Sequence, residues 1–266
     1  MSADANKKAR PAAIADIIVE WVSRVSTPEA AGWYRSTLRD IAGSGDVRTL
    51  LKATGLTPRR LGKADLPRDT PERGALETAR AGFDATGLSV DQLGRIGFVL
   101  AAWRGSDEEF ARLFDDICRT AEINELVAYY RGLPLYPAPE RLLTRAREGL
   151  RSGMKPVFEA VAHRSPYPFE MLDEHAWNQM VLKALFVDSQ LAPIQGIDER
   201  GNCDLAETLI DYARERWAAR RTVSAELWRC VTPFAIGPEL EALHAEALRA
   251  GDAGSSQALR SALAIG

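Results

Sequence analysis

The segment DEHAWNQMVLKALF, residues 173–186, has the composition of an α-helix but lacks the polar face of an ordinary surface helix. Leu, Ala, Met and Lys favour helix, and neither Gly nor Pro interrupts the segment. At about 100° per residue, its apolar side chains reach every side of the cylinder. The apolar residues in and just before the segment are Met171, Leu172, Trp177, Met180, Val181, Leu182, Leu185 and Phe186. Because a helix that is apolar all round is normally buried, the segment predicts a core helix that carries polar groups inward.

The rest of the chain repeats helix-start signals and shows no alternating apolar pattern of the kind that indicates strands. Two Thr-Pro pairs and two capping boxes mark helix starts at Thr27-Pro28, Thr70-Pro71, Ser89 with Gln92, and Ser106 with Glu109. Further helices are predicted near residues 121–132, 139–151, 153–163, 168–187, 203–220, 224–231, 238–250 and 254–264. The predicted fold class is all-α, an irregular multi-helix bundle or short helical array of about a dozen helices.

The predicted domain organisation is simple. We expect residues 1–10 to be disordered and residues 11–266 to form a single helical domain. Residues 55–68, GLTPRRLGKADLPR, are expected to form the longest non-helical connection. This basic loop carries Arg59, Arg60, Lys63 and Arg68. It could take an anion or rim a pocket, whereas the simpler interpretation is a solvated surface loop.

The charge balance argues against a nucleic-acid-binding role. The chain has 266 residues, with 34 Lys and Arg against 37 Asp and Glu, for a net charge of −3. The basic residues are scattered, whereas nucleic-acid-binding proteins concentrate basic charge on one face. We therefore expect no nucleic-acid partner.

Cysteine usage and the N-terminal segment indicate a protein of a reducing compartment. Cys118, Cys203 and Cys230 show no CxxC spacing, which argues against disulfides and against a structural zinc site. The segment MSADANKKARPAAIADIIVEWV has basic residues before an apolar run, but Asp16 and Glu20 interrupt that run. It is typical of an amphipathic helix rather than a signal peptide. Since no segment reaches the roughly 18 apolar residues of a membrane span, we expect a cytoplasmic protein.

The usual catalytic and metal-binding motifs are missing from the sequence. His163, His175 and His244 are too few and too far apart for a standard zinc site, and there is no HExxH. The P-loop, GxGxxG and GxSxG motifs are also absent. Cys203 has no histidine near it in sequence and is predicted to be a small buried residue. We expect no metal and no cofactor, and no nucleophile can be named.

Asn178 lies in an otherwise apolar sector of the predicted core helix. Its amide can bond a neighbouring helix and fix the packing register, or it can contact a ligand. Lys183 either reaches solvent or points inward. His175, Gln179 and Lys183 form one ridge at spacings of four, which most simply marks the least buried face of the helix.

The segment DLAETLIDYARERWAARR, residues 204–221, shows the same anomaly. Its apolar face contains Leu209, Tyr212 and Trp217, and Arg216 falls within that face. A guanidinium cannot shed its charge, so a buried one needs a carboxylate, carbonyl groups or an anionic ligand. The two interpretations are an internal ion pair, with Asp173 or Glu174 as candidate partners, and a group facing a small-molecule pocket.

A turn-rich link, IQGIDERGNCD at residues 194–204, is dense in hydrogen-bonding groups, and SAELWRCVTPF at residues 224–234 places Trp228 beside Arg229. Most of the polar residues that break the helical pattern thus fall within residues 163–234. Since breaches of local consistency are expected at functional sites, we predict the functional core there.

Several of these segments resemble the EboA family. The resemblance rests on PYPFEMLDEHAWNQMVLKALF, IQGIDERGNCDLAETLIDYARERWAARR and SAELWRCVTPF, and on TPRRLGKADL and GLSVDQLGRIGFVLAA nearer the N-terminus. It covers about residues 50–235, and W-N-Q-x-V-L-K-A-L-F is its most specific part. Within these motifs the positions of interest are Trp177, Asn178, Gln179, Lys183, Arg200, Asn202, Tyr212, Glu215, Arg216, Trp217, Trp228 and Arg229.

The resemblance implies a metabolite traffic protein of a biosynthetic or export gene cluster in secondary metabolism. It implies possible partners among the proteins of that cluster, including a membrane prenyltransferase-like protein, and it brings no catalytic residues. His175 and Gly201 depart from the expected pattern, which leaves a specialised ligand or activity open.

Three hypotheses follow. The first is that the protein binds an aromatic or anionic metabolite in an inter-helical pocket. Its predicted ligand-binding residues are Trp177, Asn178, Gln179, Arg200, Asn202, Arg216, Trp217, Trp228 and Arg229, with Lys183 as a further anion contact. The second is a cofactor-independent isomerase, condensing or cyclising enzyme that uses Glu174, Lys183 and Tyr212 as acid or base. The third is a helical protein-protein adaptor whose polar core residues are structural.

Overall fold

A computed structural model describes the backbone of residues 2–264 and the side chains of residues 11–264. The prediction of disorder for residues 1–10 falls on residues whose side chains lie outside this range. The α-helices are α1 Ser2–Val25, α2 Pro28–Ser44, α3 Val47–Leu61, α4 Pro71–Ala79, α5 Val90–Ala101, α6 Asp107–Thr120, α7 Ile123–Arg131, α8 Leu143–Arg151, α9 Lys155–Ala162, α10 Tyr167–Met171, α11 Glu174–Phe186, α12 Cys203–Ala218, α13 Gly237–Ala250 and α14 Ala253–Leu263. Short 3₁₀ helices cover Leu133–Leu135, Pro139–Leu142 and Ala225–Cys230.

The all-α prediction is confirmed. The described residues form helices joined by turns, and their one β-type contact is an isolated bridge between Asp65 and Ser89. Among the described residues, every helix is too short or too polar to cross a bilayer.

The predicted helix starts at Thr27 and Ser106 are confirmed by hydrogen bonds at the caps, and α4 starts at Pro71 as predicted without a side-chain bond from Thr70. The Thr27 hydroxyl accepts from the backbone N–H of Ala30 at 3.3 Å. The Ser106 hydroxyl accepts from the backbone N–H of Glu109 at the same distance. At the end of α2, the sequence predicts a stop at Gly43, but the helix continues to Ser44 and ends at Gly45 in the left-handed conformation, with φ 64°. Glycine adopts that conformation without steric cost.

The predicted basic loop at residues 55–68 is partly wrong, because α3 extends to Leu61. Arg59 and Arg60 therefore lie in the last turn of a helix, where their charge complements the helix dipole. The non-helical connection starts only at Gly62, which has φ 80°.

A buried arginine explains why α3 continues through Pro58. Proline has no N–H, so the carbonyl of Thr54, four residues earlier, loses its helical partner. The Nε of Arg95 in α5 donates to that Thr54 oxygen at 3.1 Å, and its Nη1 donates to Asp91 at 2.6 Å. The Arg95 side chain is 1% exposed. The Thr54 carbonyl, which loses its helical partner to proline, thus accepts a hydrogen bond from the buried Arg95 side chain. Because the two residues are far apart in sequence, a local sequence pattern does not reveal this bond.

Two further predicted helices differ from the structure. The helix expected over residues 168–187 is broken at Leu172 and Asp173, and the Asp173 carboxylate caps α11 by accepting from the N–H of Ala176 at 2.8 Å. The helix expected over residues 224–231 is a 3₁₀ helix, Ala225–Cys230, capped by Ser224. In both cases a polar side chain that bonds its own backbone competes with a continuous α-helix.

The chain forms two compact units, residues 1–171 and 172–266. The boundary falls at the break that precedes α11. The single helical domain expected over residues 11–266 stays a prediction.

In the first unit, α5 is the central helix and packs against α1, α2, α3 and α7. Two glycines on α5 allow this close approach. A Cβ atom at Gly97 would lie 2.0 Å from the Tyr34 hydroxyl oxygen, and one at Gly94 would lie 2.5 Å from a Leu61 methyl. The surrounding side chains therefore fill the space that a side chain at either position would need.

In the second unit, α12 packs against α11, α13 and the 3₁₀ helix Ala225–Cys230, and α13 pairs with α14. Asp252, between α13 and α14, holds this arrangement together. Its Oδ2 accepts from the Trp217 indole N–H at 3.0 Å, from the Val223 N–H at 3.0 Å and from the Ser255 hydroxyl at 2.9 Å. Burial raises the pKa of the Asp252 carboxyl, but these hydrogen bonds outweigh burial and lower that pKa below its usual range.

We predict that Gly97→Ala lowers the free energy of unfolding by about 2 kcal/mol, as overpacking in a core does. Combining it with Tyr34→Phe should remove most of the cost, because the oxygen that the new methyl would strike is gone. The Tyr34 hydroxyl is buried and has no hydrogen-bond partner among the described residues, so its removal breaks no bond described there. Denaturant unfolding of the wild type, both single variants and the double variant measures the coupling.

Gly74→Ala is the matched control, because a Cβ atom at this position would have nothing within 4 Å. In α4 this change should leave the free energy of unfolding unchanged or raise it by up to about 1 kcal/mol, which is the difference in helix propensity between glycine and alanine. An equal cost of Gly97→Ala with and without the Tyr34 hydroxyl would contradict the packing described for α5.

Candidate functional site

The exposure of α11 differs from the prediction that the whole helix is buried. Trp177, Met180 and Val181 face the core, whereas Glu174, His175 and Gln179 are exposed. Phe186 at the end of the helix is 64% exposed and packs edge-on against the ring of Tyr212. The ridge of His175 and Gln179 is thus the open face, and the apolar periodicity overstates the burial of the other sides.

Asn178 has a structural partner. Its amide and that of Asn202 exchange two hydrogen bonds, at 3.1 Å and 3.0 Å. Asn202 is also the N-cap of α12, since its Oδ1 accepts from the N–H of Leu205 at 2.8 Å. The pair therefore joins α11 to the start of α12, which agrees with the interpretation that Asn178 fixes helix packing.

Arg200 covers the indole ring of Trp177. Its guanidinium carbon lies 4.6 Å from the ring centroid, and its Nη1 donates to the Leu172 carbonyl at 2.9 Å. Burial lowers the pKa of Arg200, while the charges of Glu174 and Asp173 oppose that shift. Trp177 itself is fully buried, so its ring is already used in packing and in a cation–π contact.

Arg216 bonds a backbone carbonyl at the end of its own helix. Its Nε and Nη2 donate to the Thr222 oxygen at 3.3 Å and 3.0 Å. The predicted ion pair with Asp173 or Glu174 is therefore replaced by a bond that closes the C-terminal turn of α12. Asn202 and Arg216 are separated by about 20 Å along α12, at 1.5 Å per residue. The structure does not bring Asn178 and Arg216 into one space.

The remaining predicted ligand-binding residues also have local contacts. Trp217 and Trp228 stack with ring centroids 5.8 Å apart, and Trp228 is buried. Arg229 forms an exposed ion pair with Asp198. Cys203, which the sequence predicts to be buried, is exposed in the first turn of α12.

The three predicted catalytic residues are not assembled. Glu174 and Lys183 lie on one helix, about 13 Å apart along its axis at 1.5 Å per residue. The Tyr212 hydroxyl donates to the Leu185 carbonyl at 3.3 Å. Burial lowers the pKa of Lys183, but Glu174 stands more than two helical turns away. This arrangement offers no acid and base positioned around a shared reacting atom.

Three cavities of the described structure lie within residues 1–171. The largest, about 660 Å³, is an open groove between α6 and α8, in which arginines are already paired with Asp115 and Glu108. A cavity of about 210 Å³ lies near Gly45 and Arg104, and the Arg104 guanidinium donates to the Ala42 carbonyl.

The third cavity, about 290 Å³, has a different character, and we call it the arginine cavity. Its lining is Trp21, Asp65, Leu66, Pro67, Arg68, Arg73, Ala85, Thr86, Gly87 and Arg164. Three arginines thus face one carboxylate in the lining. Helix α1 supplies Trp21, the connection after α3 supplies Arg68, α4 supplies Arg73, and the turn after α9 supplies Arg164.

Asp84 organises the arginines behind the cavity wall. Its Oδ1 accepts from Arg73 Nη2 at 3.2 Å, and its Oδ2 lies 3.8 Å from Arg164 Nε. Burial raises the pKa of the Asp84 carboxyl, but bonds from Thr86 and the charges of Arg73 and Arg164 outweigh burial and lower that pKa. Asp84 is therefore ionised near neutral pH, and its one charge is shared between two guanidiniums.

Arg131 adds a fourth guanidinium to this region. Its Nη2 donates to the carbonyls of Asp84 and Thr86, each at 3.1 Å. Burial and the positive charge of Arg164 lower the pKa of Arg131 to about 10, and Asp84 opposes that shift. The positive charge of Arg164 thus lowers the pKa of Arg131 even though the negative charge of Asp84 opposes that shift.

Arg68 and Arg164 have unused donors. Among the described residues Arg68 makes no ion pair or hydrogen bond through its side chain, and it is exposed at the cavity. Arg164 is 38% exposed, and its 3.8 Å distance to Asp84 is too long for a hydrogen bond. The Arg164 backbone has φ 52°. A left-handed backbone conformation is strained at a non-glycine residue, and such strained residues cluster at functional sites.

Trp21 contributes an unsatisfied donor. Its side chain is fully buried, and its Nε1 has no hydrogen-bond partner among the described residues. An indole N–H can only donate, and leaving it unpaired costs about 1–3 kcal/mol. Because this nitrogen has almost no accessible surface, a ligand in the arginine cavity would not reach it.

Sequence reasoning misses most of this site. Arg68 lies in the predicted basic loop, and an anion there is one of the two interpretations of that loop. Trp21, Arg73 and Arg164 carry no local signal, because each belongs to an ordinary amphipathic helix or turn. Among the described residues, no three His, Cys, Asp or Glu side chains are grouped as metal ligands.

Comparison with known proteins identifies the family to which the chain belongs. A family model described as "Metabolite traffic protein EboA" matches residues 14–232 of the 266. The match includes all four residues Trp21, Arg68, Arg73 and Arg164. No curated protein and no solved structure matches the chain.

We predict that Asn178→Ala and Asn202→Ala each lower the free energy of unfolding by about 1–2 kcal/mol, because each leaves the other amide unpaired. Asn202→Ala should cost more, since the cap of α12 is also lost. The double variant should cost less than the sum, as measured by denaturant unfolding. Gln179→Ala, on the exposed face of α11, is the control and should change little. Strictly additive losses would show that the two amides do not support each other.

Proposed function

The chain belongs to the EboA family of metabolite traffic proteins, and from that premise we propose that it binds a small anionic metabolite in the arginine cavity. One observation carries the proposal. Among the described residues, Arg68 and Arg164 have unused guanidinium donors at a cavity of about 290 Å³.

The charge of the lining selects an anion. Its three arginines outnumber its single carboxylate, Asp65. Guanidinium groups match the oxygens of carboxylates and phosphates in a fork geometry, and charge-assisted bonds of this kind are about twice as strong as neutral ones. A cationic ligand would meet repulsion here, and a neutral one would leave the guanidinium donors without acceptors.

The position of the charges suits a carrier that must also release its cargo. Arg68 is exposed, so its attraction for an anion is screened by water and salt. Arg164 is only partly exposed, and in this proposal it defines where the anion rests. This combination favours fast capture and moderate affinity, which a traffic role needs. The volume is at the small end of ligand sites, so we propose a small metabolite or the charged end of a larger one.

The predicted residues between 172 and 234 receive a supporting role in this proposal. Trp177 and Trp228 are buried, and Asn178, Arg200 and Arg216 are bonded to protein groups. We propose that they stabilise the second unit. The partners that supply and accept the metabolite are proposed to be proteins of the same gene cluster, including a membrane prenyltransferase-like protein, with the chain itself in the cytoplasm.

We predict that small anions bind and matched neutral or cationic molecules do not. Propionate and methyl phosphate should raise the melting temperature and give heat on titration, whereas propionamide and propylamine should not. The double variant Arg68→Gln/Arg164→Asn should weaken anion binding at least tenfold, about 1.4 kcal/mol. Asparagine tolerates the left-handed backbone at position 164, so the fold should persist.

Arg59→Gln is the matched control. It removes one exposed arginine close in sequence to the cavity but outside its lining, so anion binding should stay within about twofold of wild type by the same affinity arithmetic. Equal binding of propionamide, or full anion binding by the double variant, would rule out the arginine cavity as the site.

A further inference from the structure

A carboxylate behind the wall of the arginine cavity faces one of the guanidinium groups that an anion there would need. We propose that Asp84 is the internal counter-ion of Arg164, and that an anion entering the cavity takes Arg164 away from Asp84. Asp84 then determines how tightly the anion is held. This inference rests on the proposed function, and it concerns a residue outside the cavity lining.

The two carboxylate oxygens of Asp84 have different contacts. Oδ1 accepts from the Thr86 N–H at 2.8 Å and from Arg73 Nη2 at 3.2 Å, so it holds the turn at residues 84–86. Among the described residues, Oδ2 makes one ion pair, with Arg164 Nε at 3.8 Å. The geometry of the turn therefore depends on Oδ1, whereas the charge balance at Arg164 depends on Oδ2.

Arg164 is able to change partners because only its backbone is fixed. Its carbonyl oxygen accepts from the Asp84 N–H at 3.4 Å, and its φ is 52°. The guanidinium is 38% exposed, and its distance of 3.8 Å from Asp84 is too long for a hydrogen bond. An ion pair between groups this exposed is weak. An anion that accepts well-aligned hydrogen bonds from Arg164 therefore replaces Asp84 at little cost.

The other charged groups of the lining have different roles. Arg73 is already committed, since its Nε donates to Glu77 at 2.9 Å and its Nη2 donates to Thr86 at 2.8 Å. Asp65 offsets one positive charge of the lining, but among the described residues it forms no ion pair with an arginine. Arg164 is thus the lining arginine whose charge is partly balanced while its donors stay open.

The exchange of counter-ions connects capture of the anion with its release. The free energy of the ion pair between Asp84 and Arg164 is lost when the anion binds, so it is subtracted from the binding free energy. When the anion leaves, Asp84 again balances the charge of Arg164. The carboxylate therefore lowers the affinity and favours release, which suits a protein that must pass its ligand on.

The variant Asp84→Asn separates the two roles of the carboxylate. The amide oxygen of asparagine still accepts from the Thr86 N–H, while an uncharged NH₂ group replaces the oxygen that faces Arg164. Calorimetric titration with propionate at low ionic strength should show an affinity about threefold higher than that of the wild type, as the energies of exposed ion pairs imply. Asp84→Ser should give the same gain, because a serine hydroxyl can hold such a turn without a charge.

The gain in affinity should depend on Arg164. In the background of Arg164→Asn, which keeps Arg68, the change Asp84→Asn should leave the affinity for propionate nearly unchanged, because no guanidinium remains for Oδ2 to balance. Asp65→Asn is the matched control, since it removes another carboxylate of the lining. Its effect on the affinity should be the same with and without Arg164, as expected for independent sites.

The possible outcomes separate this inference from the proposed function. A gain in affinity that disappears without Arg164 supports the counter-ion role of Asp84. An unchanged or lower affinity in both folded Asp84 variants would overturn that role, as would a gain of equal size with and without Arg164, and the anion site would remain in either case. If propionate bound neither the wild type nor any variant, the anion site itself would be removed, and this inference with it.

Discussion

One electrostatic constraint shapes the first unit: more guanidinium groups meet around Asp84 than carboxylates are present to balance them. Asp84 receives Arg73 and lies near Arg164, and its backbone oxygen accepts from Arg131. A protein can keep unbalanced cations together only where water or an anion screens them. Here the packing of α1, α4 and the turn after α9 fixes them at the wall of a cavity. This excess of guanidinium groups supports the proposal that the cavity binds an oxyanion.

The fold class can be predicted because it follows from local signals. Caps such as Thr27 and Ser106 bond the backbone within three residues, so their spacing in sequence determines the structure. Errors arise where a distant residue decides the outcome. Helix α3 passes through Pro58 because Arg95, on another helix, bonds the carbonyl that proline leaves open. Helix α11 is expected to be buried on every side, yet Phe186 is largely exposed and uses its ring edge against Tyr212. Periodicity shows which sides of a helix are apolar, but it does not show which of those sides pack against another element.

The candidate site is harder to predict for the same reason. Polar residues that break an apolar pattern are easy to notice, and Asn178 and Arg216 stand out in this way, but each is bonded to protein groups nearby. The residues of the arginine cavity break no pattern. Trp21 and Arg164 stand far apart in sequence and become meaningful only when the helices bring them together. The signal of this site is that the guanidinium donors of Arg68 and Arg164 lack partners among the described residues, and such a shortage is visible only in three dimensions.

The central claim, that an oxyanion rests in the arginine cavity, is tested most directly by a crystal structure of the full chain grown with tungstate. Tungstate is a tetrahedral dianion, and its heavy atom can be located without ambiguity. We expect a tungsten peak in the cavity with oxygens within hydrogen-bond distance of Arg68 and Arg164. An empty cavity in crystals that bind tungstate elsewhere, for example at Arg229, would contradict the claim.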